Sequence, residues 1–275
     1  MKKEKIALLF NNHRGLELYK CLKKKFEIDI YISYKNLNIK ILDTLWKNKV
    51  IFIKKFNTRL INKIKNKKYF LLITAGFPLK LTKELISLPS SGVLNLHAGP
   101  LPSYKGGSVL NWQIINNVKK IELNVQKMHY EINTGPIYST KSFKLKFKDN
   151  ISTVHKKANK LFPKMTLEAI RKIKKNIKPK KQKNVQLSKI FKQRNPDDGK
   201  IIWKQMNSLQ VYNLVRAITK PYPGAYYFNI KKVKKIIYDC KISKYNPAVK
   251  PGTEFKINGK LYIKCKRNSI QLINF

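Results

Sequence analysis

Lys5-Ile6-Ala7-Leu8-Leu9-Phe10 is a short, continuous apolar run, the pattern of a parallel strand buried on both faces. Residues 11–15 (NNHRG) read as a turn, 16–25 as a helix and 26–34 as a second strand. That strand–turn–helix–strand order predicts an α/β fold with a Rossmann-like start and a parallel central sheet. The Gly-x-Gly-x-x-Gly fingerprint is absent after the first strand, so a dinucleotide site is not expected there.

Working outward, residues 49–54 read as a strand and 58–67 as a basic amphipathic helix. The most apolar run, 69–74 (YFLLIT), predicts a central strand, followed by a helix at 81–88 and a strand at 92–97. Residues 98–107 form a loop rich in Pro and Gly, after which Ser108 is expected to cap a helix through Ile115. Strands are expected at 122–131 and 142–147. Ile151, Val154, Ala158, Leu161 and Met165 recur at helical spacing, with Pro163 predicted to kink or split that helix. Residues 171–194 are dense in charge and poor in apolar side chains, as a linker, a solvated helix end or both would be. Beyond them come a helix at 208–220 and short β-like runs at 224–230, 234–242, 253–256, 260–266 and 269–275. These predict a small barrel. The boundaries follow as 1–180 for a catalytic domain, 181–200 for a linker and 201–275 for a C-terminal OB-like β-barrel domain.

The chain has 275 residues, 43% of them hydrophobic, enough for a real core. No apolar run approaches the ~20 residues of a membrane span. The apolar stretch behind the basic N-terminus is too short for a signal sequence, so export is not expected. Three widely separated cysteines, Cys21, Cys240 and Cys265, show neither metal-ligand nor disulfide spacing. No metal is expected, and reduced thiols place the chain in the cytoplasm. Sixty Lys+Arg against fourteen Asp+Glu give a net charge of +46. One reading is a nucleic-acid or anionic partner. The other is a compositional bias towards Lys, Asn and Ile. Only six of the sixty basic residues are Arg and the lysines are spread along the chain, which favours the second.

The stretch richest in chemistry is Asn95-Leu96-His97-Ala98-Gly99-Pro100-Leu101-Pro102-Ser103-Tyr104-Lys105-Gly106-Gly107. Asn95 and His97 are two apart, so on a strand they share a face. They stand at the carboxyl edge of a parallel sheet, where ligands bind. An amide that donates to an oxyanion beside an imidazole that moves a proton suits acyl chemistry. A mutually satisfied Asn–His pair at a loop junction accounts for the same residues.

Asn95-x-His97 followed by Leu-Pro-x-Tyr-Lys-Gly resembles the signature of the 10-formyltetrahydrofolate-dependent formyltransferases. This family includes methionyl-tRNA formyltransferase, the sugar-nucleotide N-formyltransferases and the glycinamide ribonucleotide enzyme. The resemblance continues in residues 110–116 (LNWQIIN), in 131–137 (EINTGPI), and in 196–203, 211–217 and 221–225 (PYPGA). The C-terminal matches argue against the glycinamide ribonucleotide enzyme, which lacks that domain. The resemblance implies 10-formyltetrahydrofolate as formyl donor, with Asn95 and His97 as catalytic residues. Phe77, Pro78 and Leu79 would hold the pterin through main-chain contacts, with Gly135 beside it. Gly92, Gly106 and Gly107 would shape the backbone. Tyr104 and Lys105 would meet the acceptor, Lys105 at a phosphate. His13 reads as an exposed loop residue or a contact to a ligand phosphate, His129 as strand packing or a residue facing the same cleft as Glu131, and His155 as structural; Arg216 reads as bonding within the fold or contacting an acceptor, and Trp112 and Trp203 as packing.

One position departs from the family. Its third catalytic residue is an Asp, where this chain has Asn133. An amide neither takes a proton nor raises the pKa of a neighbouring imidazole. Glu131 substitutes for it if the strand persists that far, or a water and His97 suffice, or the protein binds folate or a nucleotide without catalysis. The resemblance favours an amino-sugar nucleotide as acceptor. Initiator methionyl-tRNA is the alternative, and a homodimer is compatible with the sugar enzymes.

Overall fold

The computed structural model describes residues 3–183 and 188–274. Its strands are β1 (Lys5–Phe10), β2 (Glu27–Ser33), β3 (Val50–Ile53), β4 (Leu71–Ala75), β5 (Val93–His97), β6 (Lys105–Gly106), β7 (Lys120–Lys127), β8 (Ile137–Lys144) and β9 (Ile190–Phe191), then β10 (Ala225–Phe228), β11 (Lys234–Ile237), β12 (Asp239–Ser243), β13 (Glu254–Ile257), β14 (Lys260–Lys264) and β15 (Ser269–Asn274). The helices are α1 (His13–Leu22), α2 (Ile39–Leu45), α3 (Thr58–Asn66), α4 (Lys83–Ser87), α5 (Val109–Ile115), α6 (Ile151–Lys174) and α7 (Ser208–Ile218).

The first seven long strands make one sheet in the order β3-β2-β1-β4-β5-β7-β8. Strands β3 to β5 are parallel, and β7 joins β5 antiparallel. The order reverses at β1, as in doubly wound sheets. The central strands are apolar because both faces are covered: Ile6, Leu8, Phe10, Leu71, Leu72 and Ile73 are fully buried. The α/β expectation therefore holds. The chain divides into two compact units whose segments alternate along the sequence. The first comprises 1–105, 122–142 and 157–190; the second comprises 106–121, 143–156 and 191–275.

Several local expectations are corrected. Helix α1 begins at His13, capped by the Asn12 side chain, which accepts from the Arg14 amide at 3.1 Å. Helix α2 escapes the pattern because it is short and its Asn38 cap makes no side-chain hydrogen bond. Helix α6 runs unbroken through Pro163. An internal proline costs ~3 kcal/mol, and burial of Val154, Ala158, Phe162, Met165 and Ala169 on one stripe outweighs it. Ser108 does not cap α5. It sits in the left-handed region, φ 48°, and its hydroxyl accepts from the Arg194 amide at 3.1 Å. The charged stretch from 171 begins inside α6, and Lys180 bridges to Ile137 in an antiparallel pair. Residues 184–187 of the expected linker, and residue 275 of the expected last strand, lie outside the described residues.

In the second unit, β10 and β11 form a hairpin, and β12, β15, β14 and β13 a four-stranded antiparallel sheet. The run expected at 234–242 is two strands broken at Tyr238. Helix α7 is capped by an Asn207–Gln210 capping box. It is buried almost throughout from Val211 to Ile218. Asn111 donates 2.7 Å to the Ala217 carbonyl. Arg216, 6% exposed, is structural. Its guanidinium donates to the carbonyls of Lys146, Phe147 and Asp149 and to the Asn213 side chain. Replacing Arg216 with Ala strips donors from buried carbonyls and is expected to cost about 2–4 kcal/mol. Urea unfolding measures that loss; a change below about 1 kcal/mol would exclude the role. His155 is also structural, with Nε2 3.0 Å from the Tyr222 hydroxyl. The Trp112 indole donates 3.0 Å to the Lys192 carbonyl, and Trp203 packs edge-on against Tyr227. Cys240 and Cys265 are buried and outside any disulfide, and burial pushes both thiols up. No helix among the described residues is long and apolar enough to cross a membrane.

Candidate active site

Strand β5 carries Asn95 and His97 to the carboxyl edge of the parallel sheet. Its neighbours put Thr74 and Gln126 beside Asn95, and Asn124 beside His97. One polar face thus emerges from an otherwise apolar sheet. The Thr74 hydroxyl donates 2.8 Å to Asn95 Oδ1. This engages the carbonyl end of the amide and fixes which way it points, leaving Nδ2 as the donating end.

His97 is 5% exposed, and its Nε2 lies 2.6 Å from the Tyr104 carbonyl. A carbonyl only accepts, so Nε2 carries the proton and Nδ1 is the accepting nitrogen of the neutral ring. Burial pushes the imidazole pKa down to about 4; the Tyr104 bond opposes this and the Arg14 charge adds to it. The ring is neutral at pH 7. Tyr104 meets His97 through its main chain. Lys105 is buried, 6% exposed.

A cavity of about 150 Å³ adjoins Asn95. Its apolar wall includes Phe77, Leu79 and Met128, and its polar wall Asn95, Gln126 and Asn133. Phe77 and Leu79 also pack on the core beneath the sheet. Pro78, between them, is partly buried. A flat heteroaromatic ring with a hydrogen-bonding edge fits such a lining. Asn95, Asn133 and Glu131 therefore meet at one cavity, as does His129, which is not a strand-packing residue. Strand β7 ends at Lys127, so Glu131 is not on a persisting strand; it stands on the following turn, exposed.

The turn is built around Gly135. A Cβ there would lie 1.7 Å from the Lys127 carbonyl oxygen, so only glycine allows the approach. Asn133 takes the left-handed conformation, φ 55°, which Asn tolerates better than most residues. Gln182 Nε2 donates to the carbonyls of Asn133 (2.9 Å) and Gly135 (2.6 Å), tying the turn down from the far side. His13 is exposed at the start of α1. No cluster of metal-ligating residues occurs among the described residues.

Thr74, Arg14 and Gln182 are contributors that motif reading misses. Arg14 is buried, its guanidinium 4.6 Å above the Phe162 ring and its Nη1 3.3 Å from the Leu96 carbonyl. Thr74 has a signal: it ends the central strand, and parallel register aligns it with Asn95. Arg14 and Gln182 have none, since long-range packing brings them in.

The formyl transferase model matches residues 27–170, and the formyl transferase C-terminal domain model matches 193–275. The chain belongs to the formyl transferase family. Members take their formyl group from 10-formyltetrahydrofolate. The family's bifunctional polymyxin resistance protein ArnA of Wigglesworthia glossinidia brevipalpis is 34% identical over 202 residues, 70% of this chain and 29% of that one. The chain thus spans under a third of that relative. Methionyl-tRNA formyltransferase of Caldanaerobacter subterraneus subsp. tengcongensis is 28% identical, over 80% of this chain and 70% of that one. The crystal structure of an N-formyltransferase from Helicobacter canadensis, in complex with folinic acid and dTDP-3-aminofucose, superposes with a TM-score of 0.71. Its identity is 18%, with all of both chains covered. At that identity the likeness speaks for the fold.

Proposed function

We propose that this chain transfers a formyl group from 10-formyltetrahydrofolate to the amine of a nucleotide-linked amino sugar. The observation that carries formyl transfer is the Thr74–Asn95 bond, which aims an amide N–H outward at the sheet edge beside a buried neutral imidazole. In this reading an amine attacks a formyl carbonyl held beside the cavity. Asn95 Nδ2 donates to the carbonyl oxygen as negative charge gathers there. Nδ1 of His97 accepts a proton from the attacking nitrogen and returns it to N10 of tetrahydrofolate as the formyl C–N10 bond breaks, and the Tyr104 carbonyl steadies the ring from the other side. Gln126 and Asn133 orient the donor. The chemistry is carried by the expected catalytic domain, residues 1–180, and residues 201–275 form the OB-like domain.

The sugar acceptor is supported by the similarity to ArnA and by the full-length likeness to an enzyme crystallised with an amino-sugar nucleotide. Methionyl-tRNA is the second reading, favoured by the 80% of this chain that matches a tRNA enzyme. The test mixes purified protein and 10-formyltetrahydrofolate with amino-sugar nucleotides or with initiator methionyl-tRNA, and follows tetrahydrofolate release. Turnover with sugars alone supports the proposal. Turnover with tRNA alone replaces it by the second reading, and silence with both while folate still binds would point to a non-catalytic binder.

A further inference from the structure

A cavity of about 780 Å³ in the first unit lies against β7 and β8. Its outer wall is the segment that follows α6. Ile137 and Lys180 exchange both main-chain hydrogen bonds, at 2.8 and 2.9 Å, so residues 177–183 run as a strap along the start of β8. The strap brings Lys178, Lys180, Lys181 and Lys183 to the cavity. Among the described residues no carboxylate lies within ion-pair distance of any of these four. The cavity's two carboxylates are engaged. Glu168 takes Lys172 at 2.9 Å and the Ser139 hydroxyl at 3.0 Å. Glu122 accepts from Asn124 Nδ2 at 3.2 Å. Five lysines, Lys172 and these four, thus meet two carboxylates on one concave surface, which leaves it with a net positive charge.

A second feature is independent of charge. Gln182 spends Nε2 on the carbonyls of Asn133 and Gly135, while its Oε1 is buried and has no hydrogen-bond partner among the described residues. Buried acceptors are nearly always satisfied, so an N–H or hydroxyl of a ligand is the natural complement. The cavity also adjoins the chemistry. Asn124, on its wall, donates 2.8 Å to the Gly99 carbonyl in the loop after His97. Gln182 Nε2 is 3.4 Å from Gln126 Oε1, which lines the smaller cavity beside Asn95.

We infer that this lysine-lined cavity holds the phosphate groups of the acceptor, a diphosphate ester with a hydroxyl directed at Gln182. The word acceptor rests on the formyl-transfer reading; the phosphate chemistry rests on the lysines alone. Lysines are compact point charges that meet phosphate oxygens without a fixed fork geometry, and so suit a flexible diphosphate.

The test titrates inorganic pyrophosphate into the full chain by calorimetry, at about 50 mM and about 300 mM salt. A variant with Lys178→Ala, Lys180→Ala, Lys181→Ala and Lys183→Ala is compared with a control carrying Lys63→Ala, Lys65→Ala, Lys231→Ala and Lys235→Ala, all exposed. Both sets remove four charges from +46, leaving +42. The strap variant is expected to bind pyrophosphate about tenfold more weakly and the control less than about twofold, since dispersed surface charges contribute little singly. Equal losses would overturn the site in favour of the field of the whole chain. Unchanged pyrophosphate binding with weaker binding of a triglutamyl than a monoglutamyl donor would assign the cavity to the donor's tail instead. Unchanged pyrophosphate binding with weakened tRNA binding would assign it to RNA. Thermal unfolding confirms that both variants fold. If the wild type binds pyrophosphate through the strap but transfers no formyl group, the cavity stands and the formyl-transfer reading falls.

Discussion

Replacing His97 by Ala is expected to slow formyl transfer by at least about 10³-fold while the protein remains folded. The ring is buried, its Nε2–H is committed to the Tyr104 carbonyl, and His97 shares a face of β5 with Asn95. No other side chain on that face, among Thr74, Asn124 and Gln126, can accept and return a proton. Single-turnover measurement on the variant checks this, and turnover within tenfold of wild type would remove His97 from the mechanism. The lowered pKa adds a second signature. Burial holds the folded imidazole at about 4, against an ordinary value of 6.5. Between those values the unfolded chain binds the proton and the folded one does not. The stabilisation from this effect is complete above pH 6.5 and is lost as pH falls towards 4, a span of roughly 3 kcal/mol. His97→Gln, which cannot charge, should flatten the acid limb of the stability curve over that window. An acid limb as steep as the wild type's would show that the ring is solvated.

Restoring the family's carboxylate, Asn133→Asp, is expected to raise turnover by about 100-fold, the low end of what a general base supplies. The backbone at 133 is left-handed, a conformation both Asn and Asp visit, and Gln182 holds the turn through carbonyls that the substitution leaves in place. The new carboxylate would share the cavity with Asn95. Pre-steady-state rates with a fixed donor concentration separate this gain from tighter binding. An unchanged rate would mean that proton acceptance is supplied elsewhere. Glu131, which lines the same cavity, is then the candidate, and Glu131→Gln should lose what Asn133→Asp failed to add.

Much of this was legible because apolar runs and a period of two report burial directly. The parallel sheet, from Lys5 to His97, and the shared face of Asn95 and His97 follow from local pattern alone. What escaped depends on contacts far apart in sequence. The expected strand through Glu131 stops at Lys127 because Gly135 lets the chain turn back onto the Lys127 carbonyl. Pro163 is tolerated because the stripe around Phe162 is buried. The imidazole's loss of basicity comes from enclosure, to which Arg14 adds, and neither is visible near His97 in the sequence. The charged stretch after α6 read as a linker, yet residues up to 183 carry a β-bridge and the Gln182 contacts. Charge density alone does not distinguish a tether from a strap.

The alternation of segments between the two units has a consequence for how this molecule is made. Helix α5 belongs to the unit completed by α7, and the Asn111–Ala217 hydrogen bond closes over 106 residues. At roughly 5–20 residues added per second during synthesis, the Asn111 amide waits about 5–20 seconds before the carbonyl it will meet has been polymerised. Residues 143–156, which supply the carbonyls for Arg216, wait as well. A ribosome stalled between residues 180 and 210 would therefore expose a nascent chain with a nearly finished sheet and two orphaned segments, a species suited to chaperone capture.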